Sequence, residues 1–445
     1  MDDLFFARTQ MGMSLAFHIV FAIIGMAMPV LMAISEGFYL RTKDPLYLDL
    51  TKRWAHGTAI LFVVGAVSGT VLSFELGLLW PIFMEHAGPI IGMPFSLEGF
   101  AFFTEAIFLG LFLYGWNRMG PIAHWLCGIM VALSGMASGV FVVTANAWMN
   151  APVGFKVANG VITGIDPIAA MLNPAALHQT LHMALAALAA VGFVVAGVHA
   201  FLLLRSPAKE FHRKAFGIAA VMACVSIPLQ IASGDLAAQR VAELQPAKLA
   251  AMEAHYRTGP NASLLVGGWV NNEEGTIKGA LEIPSGLSLL VGRSPNTVVA
   301  GLNEFPRNEW PNVAIVHWSF DVMVACGIAM LGVAAWTGIL TLRRRTITNS
   351  RPLLWAYVVC TPLGVIAVEA GWFVTEFGRQ PWVIYGFMRT ADAVTPMPGL
   401  LYPLIVISAV YLFLAVIVGI LLKRQFVETT SPSFLTRRKS EVDHA

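Results

Sequence analysis

Along the 445 residues, apolar runs of about 20 residues, long enough to cross a bilayer as helices, fall at 11–34, 56–80, 97–116, 123–145, 180–204, 215–233, 312–340, 353–376 and 400–422. The pattern predicts an all-α, polytopic membrane bundle of about nine transmembrane helices. One polar stretch, 234–311, is long enough to hold structure of its own. Its opening, AAQRVAELQPAKLAAMEAHYRT, has a helical period interrupted at Pro246, which predicts two short helices. The GGW, NNEEGT and IPSG that follow read as turns and short extended pieces. A second polar connection, about 147–178, carries NAPVG and NP turn signals and no regular period. The chain divides into helices one to six (1–233), an outer loop (234–311), helices seven to nine (312–422) and a tail (423–445). No internal repeat shows.

Composition agrees with the pattern: 57% of residues are hydrophobic, 12% are charged, and mean hydropathy is +0.70, far from the quarter-charged make-up of soluble domains. The start, Met1-Asp2-Asp3, lacks a basic n-region, so no cleavable signal peptide is expected. Net charge is only +2 and forms no nucleic-acid patch. Sorted by side, 18 of the 28 Lys and Arg residues fall in the connections after helices one, three, five and seven and in the tail. Six of the other ten lie in the long loop, which translocates largely regardless of charge. This bias places the N-terminus and the long loop outside, and Arg343–Arg345 and the C-terminal tail in the cytoplasm. Cys127, Cys224, Cys326 and Cys360 all lie in the spans with no CxxC spacing, and read as packing residues.

Ionisable groups inside such spans cost several kcal/mol unless paired, metal-bound or on a proton path. GWFVTEFGRQPW, 371–382, places Trp372, Glu376 and Arg379 at i, i+4, i+7, on one helical face. Glu98 and Glu105, seven apart, share a face of the third span and suggest a proton relay, with Glu75 and Glu369 as further membrane carboxylates. Of eleven histidines, His86, His212 and His444 fall in loops or tails, and His56, His124, His199 and His317 near span ends. His18 and His182 lie within apolar spans and stand out as ligand candidates; Met323 is a candidate sulfur ligand against a background of twenty methionines. No His pairs about four turns apart and no His-His dipeptide occur, which argues against bis-histidine and haem–copper arrangements but leaves single-ligand haem sites open. Lys248 and Glu253 flank KLAAME in the loop, where spacing alone suggests a solvated charge pair.

GWFVTEFGRQPW, the EGFAFFTEAIFLGLFLYGW run from Glu98, SGTVLSFELG, NAWMNAPVG at 146–154 and PAKLAAMEA together resemble subunit I of the cytochrome bd-type quinol oxidases, with a short outer loop, the Q-loop, similar to the cyanide-insensitive branch. The resemblance covers nearly the whole chain. It implies a terminal respiratory oxidase of the bacterial cytoplasmic membrane that oxidises quinol outside and reduces O2 to water with cytoplasmic protons, building membrane potential without pumping. It implies His182 and Met323 as axial ligands of a low-spin haem b (b558). His18 and Glu376, in either order, match the protein ligands of a high-spin haem b (b595) and of a haem d or third haem b. Lys248 and Glu253 match quinol-site residues, Glu98 and Glu105 proton donors toward the oxygen site, and Trp372 and Arg379 residues lining the high-spin pair. The implied partners are subunit II and a small single-span accessory subunit.

One position departs from the family: Asp321 stands where familiar members carry arginine or a neutral polar residue. Beside a haem, an acid favours oxidised iron unless it is protonated or paired, so Asp321→Asn is expected to raise the low-spin midpoint, and an unchanged midpoint would count against direct contact. Two other classes share some features. A proton-coupled transporter holds membrane carboxylates but shows repeat symmetry; a haem-bearing electron carrier or oxygen sensor keeps His182 and Met323 without needing the Glu98–Glu105 line.

Overall fold

The computed structural model describes residues 3–158, 161–205 and 210–430. Its helices are α1 (Asp3–Thr42), α2 (Pro45–Leu79), α3 (Pro81–Tyr114), α4 (Pro121–Asn150), the short α5 (Pro167–Met171), α6 (Ala176–Arg205), α7 (Glu210–Leu244), α8 (Pro246–Met252), α9 (Gly286–Gly292), α10 (Val313–Leu342), α11 (Arg351–Cys360), α12 (Leu363–Arg379), α13 (Thr390–Ala393) and α14 (Leu401–Thr430). Among the described residues nine helical spans are long and apolar enough to cross a membrane, with α11 and α12 sharing one, Arg351–Arg379. Their shared span is interrupted at Thr361–Pro362, where proline removes a backbone donor.

Proline starts the first turn of α2, α3 and α4, where its missing N–H has no helical partner to lose. Asp44 caps α2 by accepting Leu46 N–H at 2.9 Å, and Asn312 caps α10 by accepting Ile315 N–H at 3.2 Å. Only Trp80 separates α2 from α3, so the third helix begins at Pro81, well before the apolar run at 97 that announces it. Likewise α7 runs on to Leu244, past the 233/234 boundary, because the Ala-rich start of the loop continues the helix until Gln245–Pro246. The first of the two expected short helices is therefore the end of α7, and the second is α8. Residues 423–430 extend α14; the rest of the tail, with His444, lies outside the described residues.

α6 is the central helix: 67% of its most apolar stretch is buried within the chain, against 11% for α14 on the periphery. It packs on α7, α11, α4, α1 and α12, and Ala187, Ala190, Gly192 and Gly197 keep those approaches close. The outer loop places α8 against α7, α10 and α12. Beyond α8 come four short strands, β3 (Leu264–Val266), β4 (Trp269–Asn271), β5 (Thr276–Lys278) and β6 (Leu281–Ile283), with β4–β5 nested inside the β3–β6 pair; β1 (Lys156–Ala158) and β2 (Val161–Thr163) form a separate hairpin in the second polar connection.

Candidate functional site

Glu376, near the C-terminal end of α12, is held by both oxygens. Asn146 on α4 donates to Oε1 at 2.5 Å and Arg379 donates to Oε2 at 2.6 Å. Asn150, one turn beyond Asn146, donates to its backbone and side-chain oxygens at 2.9 and 3.0 Å, and Lys248 Nζ on α8 donates to Asn150 Oδ1 at 2.6 Å. Every donor in this line points toward the carboxylate. Gly378 lets Lys248 pass, because a Cβ there would stand 2.8 Å from Lys248 Cγ. Arg379 is only 2% exposed, yet its Nε and Nη1 find no partner among the described residues.

The surface charge pair expected of Lys248 and Glu253 does not form. Both side chains are buried, and Lys248 turns inward to Asn150. Burial, reinforced by Arg379, holds its ammonium well below the ordinary lysine range, with Glu376 opposing. Glu253 is fully buried with neither oxygen in a hydrogen bond of good geometry, and burial, with Asp321 adding to it, pushes its carboxyl up to about 8.

Asp321 is paired: its carboxylate accepts the Gly267 N–H at 2.6 Å and lies 3.5 Å from His317 Nε2. His317, unremarkable by sequence, is completely buried and bridges Met252 O and Gly267 O. His212 lies not in a loop but in α7, where it is buried against His199, their Nδ1 atoms 3.1 Å apart.

His18 and His182 share one local design. Ser68 donates its hydroxyl to Val64 O at 2.9 Å and so accepts from His18 Nδ1 at 3.0 Å. Ser233 donates to Gln230 O at 2.8 Å and accepts from His182 Nδ1 at 2.9 Å. This arrangement favours the proton on Nδ1 of each ring and leaves the lone pair on Nε2, one of the two nitrogens through which imidazole binds a metal. Gln230 Nε2 donates to that lone pair of His182 at 3.0 Å. A glycine faces three of the four candidate ligands: a Cβ on Gly69 would lie 3.0 Å from the His18 ring, on Gly234 3.3 Å from the His182 ring, and on Gly371 3.1 Å from Met323 Sδ. Flat walls beside two imidazoles and a thioether, together with a buried arginine bearing spare donors, fit haem and its carboxylates.

Along α4, Gly135, Ser138 and Asn146 meet three carboxylates in order. Glu105, 4% exposed, packs against Gly135 and Gly25, its Oε1 without a hydrogen bond among the described residues. Ser138 donates to Glu98 at 3.1 Å, and Asn146 reaches Glu376. Trp372 packs beside the cluster of buried residues built on α1, α6 and α7. Sequence reasoning missed Ser68, Ser233, Asn146, Asn150 and His317; the available signal was a polar side chain repeated at helical spacing in an apolar span, as in Asn146 and Asn150. Among the described residues no cluster of three His, Cys, Asp or Glu residues forms a bare-ion site.

The sequence matches the cytochrome bd terminal oxidase subunit I family over residues 6–430. The fold is similar to that in "The structure of bd oxidase from Geobacillus thermodenitrificans", with TM-score 0.90 and 38% identity over 96% of this chain and 99% of that one. Subunit 1 of the cytochrome bd ubiquinol oxidase of Bacillus subtilis (strain 168) is 31% identical, covering 96% of this chain and 94% of its own. Subunit 1 of the cytochrome bd-II ubiquinol oxidase of Escherichia coli (strain K12) is 29% identical, covering 92% and 93%. With imidazole, thioether and carboxylate groups on the predicted helices and a match over nearly its whole length, the chain belongs to the cytochrome bd terminal oxidase subunit I family.

Proposed function

We propose that this chain oxidises quinol at its outer loop and reduces O2 to water at a buried pair of high-spin haems, as subunit I of a terminal quinol oxidase. The observation that carries this reading is the donor line from Lys248 through Asn150 and Asn146 to Glu376, which joins the loop to an iron-ligand candidate by direct hydrogen bonds. His182 and Met323 would hold the low-spin haem b, and His18 and Glu376 the high-spin haem b and the haem d or third haem b. Bound there, haem supplies one-electron chemistry and an open iron position for oxygen.

The chain's own residues handle protons and charge. Glu253, as carboxylate, accepts a proton from quinol at the loop. Arg379 and Lys248 offset negative charge around Glu376. Glu105, then Glu98 with Ser138, then Asn146 with Glu376 rise along α4 over 11 residues between Gly135 and Asn146, about 16 Å. This supports a proton line climbing from the cytoplasmic side, with the N-terminus and loop outside and the C-terminal tail inside. Two quinols release four electrons and four protons outside; O2 takes four electrons and four cytoplasmic protons to give two waters, so charge separates across the membrane without a pump. Subunit II is the expected partner, with a single-span accessory subunit beside it.

The purified complex should show haem bands on dithionite reduction and consume O2 when given quinol. Colourless protein overturns the reading; haem without quinol-driven O2 uptake leaves an electron carrier.

A further inference from the structure

Below Asp321, α10 runs through 21 residues, Val322–Leu342, without a charge until Arg343–Arg345. At 1.5 Å per residue that is about 31 Å, the thickness of bilayer hydrocarbon. Asp321 therefore marks its outer edge. The outer loop reaches down to this level. Asp321 Oδ2 accepts the Gly267 N–H at 2.6 Å, and the His317 ring lies between two carbonyls, Nε2 3.1 Å from Gly267 O and Nδ1 2.7 Å from Met252 O. One imidazole thus ties the β3–β4 turn to the residue preceding Glu253. The turn needs glycine: Gly267 and Gly268 have φ of +67° and +97°, and a Cβ on Gly268 would meet Ala280 N at 2.9 Å.

Beside this turn Trp269 is 78% exposed, with Val266, Leu281 and Ile283 exposed on the adjoining strands. Scattered exposed apolar residues need no explanation. Strand β4, which carries Trp269, packs on α10, whose Trp318 and Val322 are also exposed, so the exposed apolar surface of the helix continues onto the loop. Tryptophan is favoured at the headgroup level, which is the depth Asp321 sets.

We propose that the β3–β4 turn is a membrane-seated lid: Asp321 and His317 latch it at the outer edge of the hydrocarbon, and Trp269 anchors it in the outer lipid leaflet. Quinol then reaches Glu253 sideways from the bilayer, past this turn, rather than from water. The occupant of the apolar face is lipid, because the face continues the lipid-exposed flank of α10 at the same depth. The lid's role rests on the reading that quinol is oxidised at Glu253; the anchoring does not.

The test uses the complete oxidase complex in vesicles of phosphatidylethanolamine and phosphatidylglycerol, with Leu281→Cys carrying a nitroxide, Trp269 kept in place, and the same complex without that substitution as the labelling background. The label should collide more with O2 than with a water-soluble nickel chelate, and Asp321→Ala should reverse the ratio while Asp321→Asn, which keeps an oxygen acceptor, restores it. In the unlabelled complex, Asp321→Ala should change the KM for a long-tailed quinol at least fivefold and that for a short-tailed quinol less than twofold. A label as accessible to the chelate as one at Glu273→Cys overturns the proposal, and so does one shielded from both reagents, which would mean a protein partner covers the face. Equal KM changes for the two quinols overturn the lid. A parent complex that oxidises no quinol overturns the functional reading while the collision ratio still decides the anchoring.

Discussion

Two carboxylates that both face α4, the part-buried Glu376 and the buried Glu105, are handled in opposite ways. Glu376 has both oxygens held, by Asn146 and by Arg379, with Asn150 and Lys248 behind them. Glu105 has an oxygen without a partner and sits against the bare backbone of Gly25 and Gly135. An anion gripped by charged and amide donors is fixed in place and direction, which suits a ligand. A carboxyl given room and few bonds can rotate and exchange a proton, which suits a relay. The contrast teaches that the chain builds its ligand and its relay from the same residue type by changing only the neighbours.

Breaking the contrast at its strong end should have the largest effect. Glu376→Ala leaves Arg379 buried without its counter-charge, a loss of about 3–5 kcal/mol for a broken buried pair, and is expected to remove a high-spin haem signal and more than about 100-fold of the O2 uptake. Glu105→Gln should lower O2 uptake about 100-fold, in the range of a lost acid–base group, with visible bands intact. If both variants lose haem, the two carboxylates are not different in kind.

Lys248 sharpens the comparison from the side. Lys248→Met removes the far end of the donor line and leaves Asn150 Oδ1 unpaired, so it should cost about 1–3 kcal/mol and perturb the high-spin bands along with turnover. A raised quinol KM with unchanged bands would instead return Lys248 to the quinol site. Glu253 should show in the pH profile. With its carboxyl held up to about 8, it is mostly protonated at pH 7 and becomes a proton acceptor as pH rises, so quinol oxidation should climb through about pH 8. Glu253→Gln should be slower and lose that climb; a climb that persists would assign it to another group. The smallest effect is expected from Gly135→Ala, whose Cβ would lie 2.9 Å from Gly25 O and 3.1 Å from Glu105. Overpacking of about 1–3 kcal/mol should lower thermal stability and slow turnover a few-fold, with little change in the haem bands.

Much of the architecture was legible because bilayer thickness imposes a length on every apolar run. The nine spans and the singular loop follow from that constraint. Boundaries were less legible: α3 begins with the apolar Pro81–Phe83 and α7 ends in an Ala-rich segment, and neither end differs in hydropathy from what a loop or span permits. The site was legible wherever one residue type is costly in lipid. Glu98, Glu105, Glu376 and Arg379 draw attention by charge alone. Ser68, Ser233, Asn146 and Asn150 do not, since a hydroxyl or amide in a span carries little penalty and its partner lies dozens of residues away.

By itself the sequence determined that this is a membrane bundle, which carboxylates and histidines its helices carry, and which family they match, because burial in lipid and helical period act on residues near one another in the chain. Only the tertiary structure decided that Lys248 faces Asn150 and not Glu253, that serines hydrogen-bond Nδ1 of His18 and His182, and that Asp321 holds the Gly267 backbone. Those outcomes depend on which helix faces pack together and how the loop folds back on α10. Such contacts are fixed by the whole packed assembly and leave no period in the sequence.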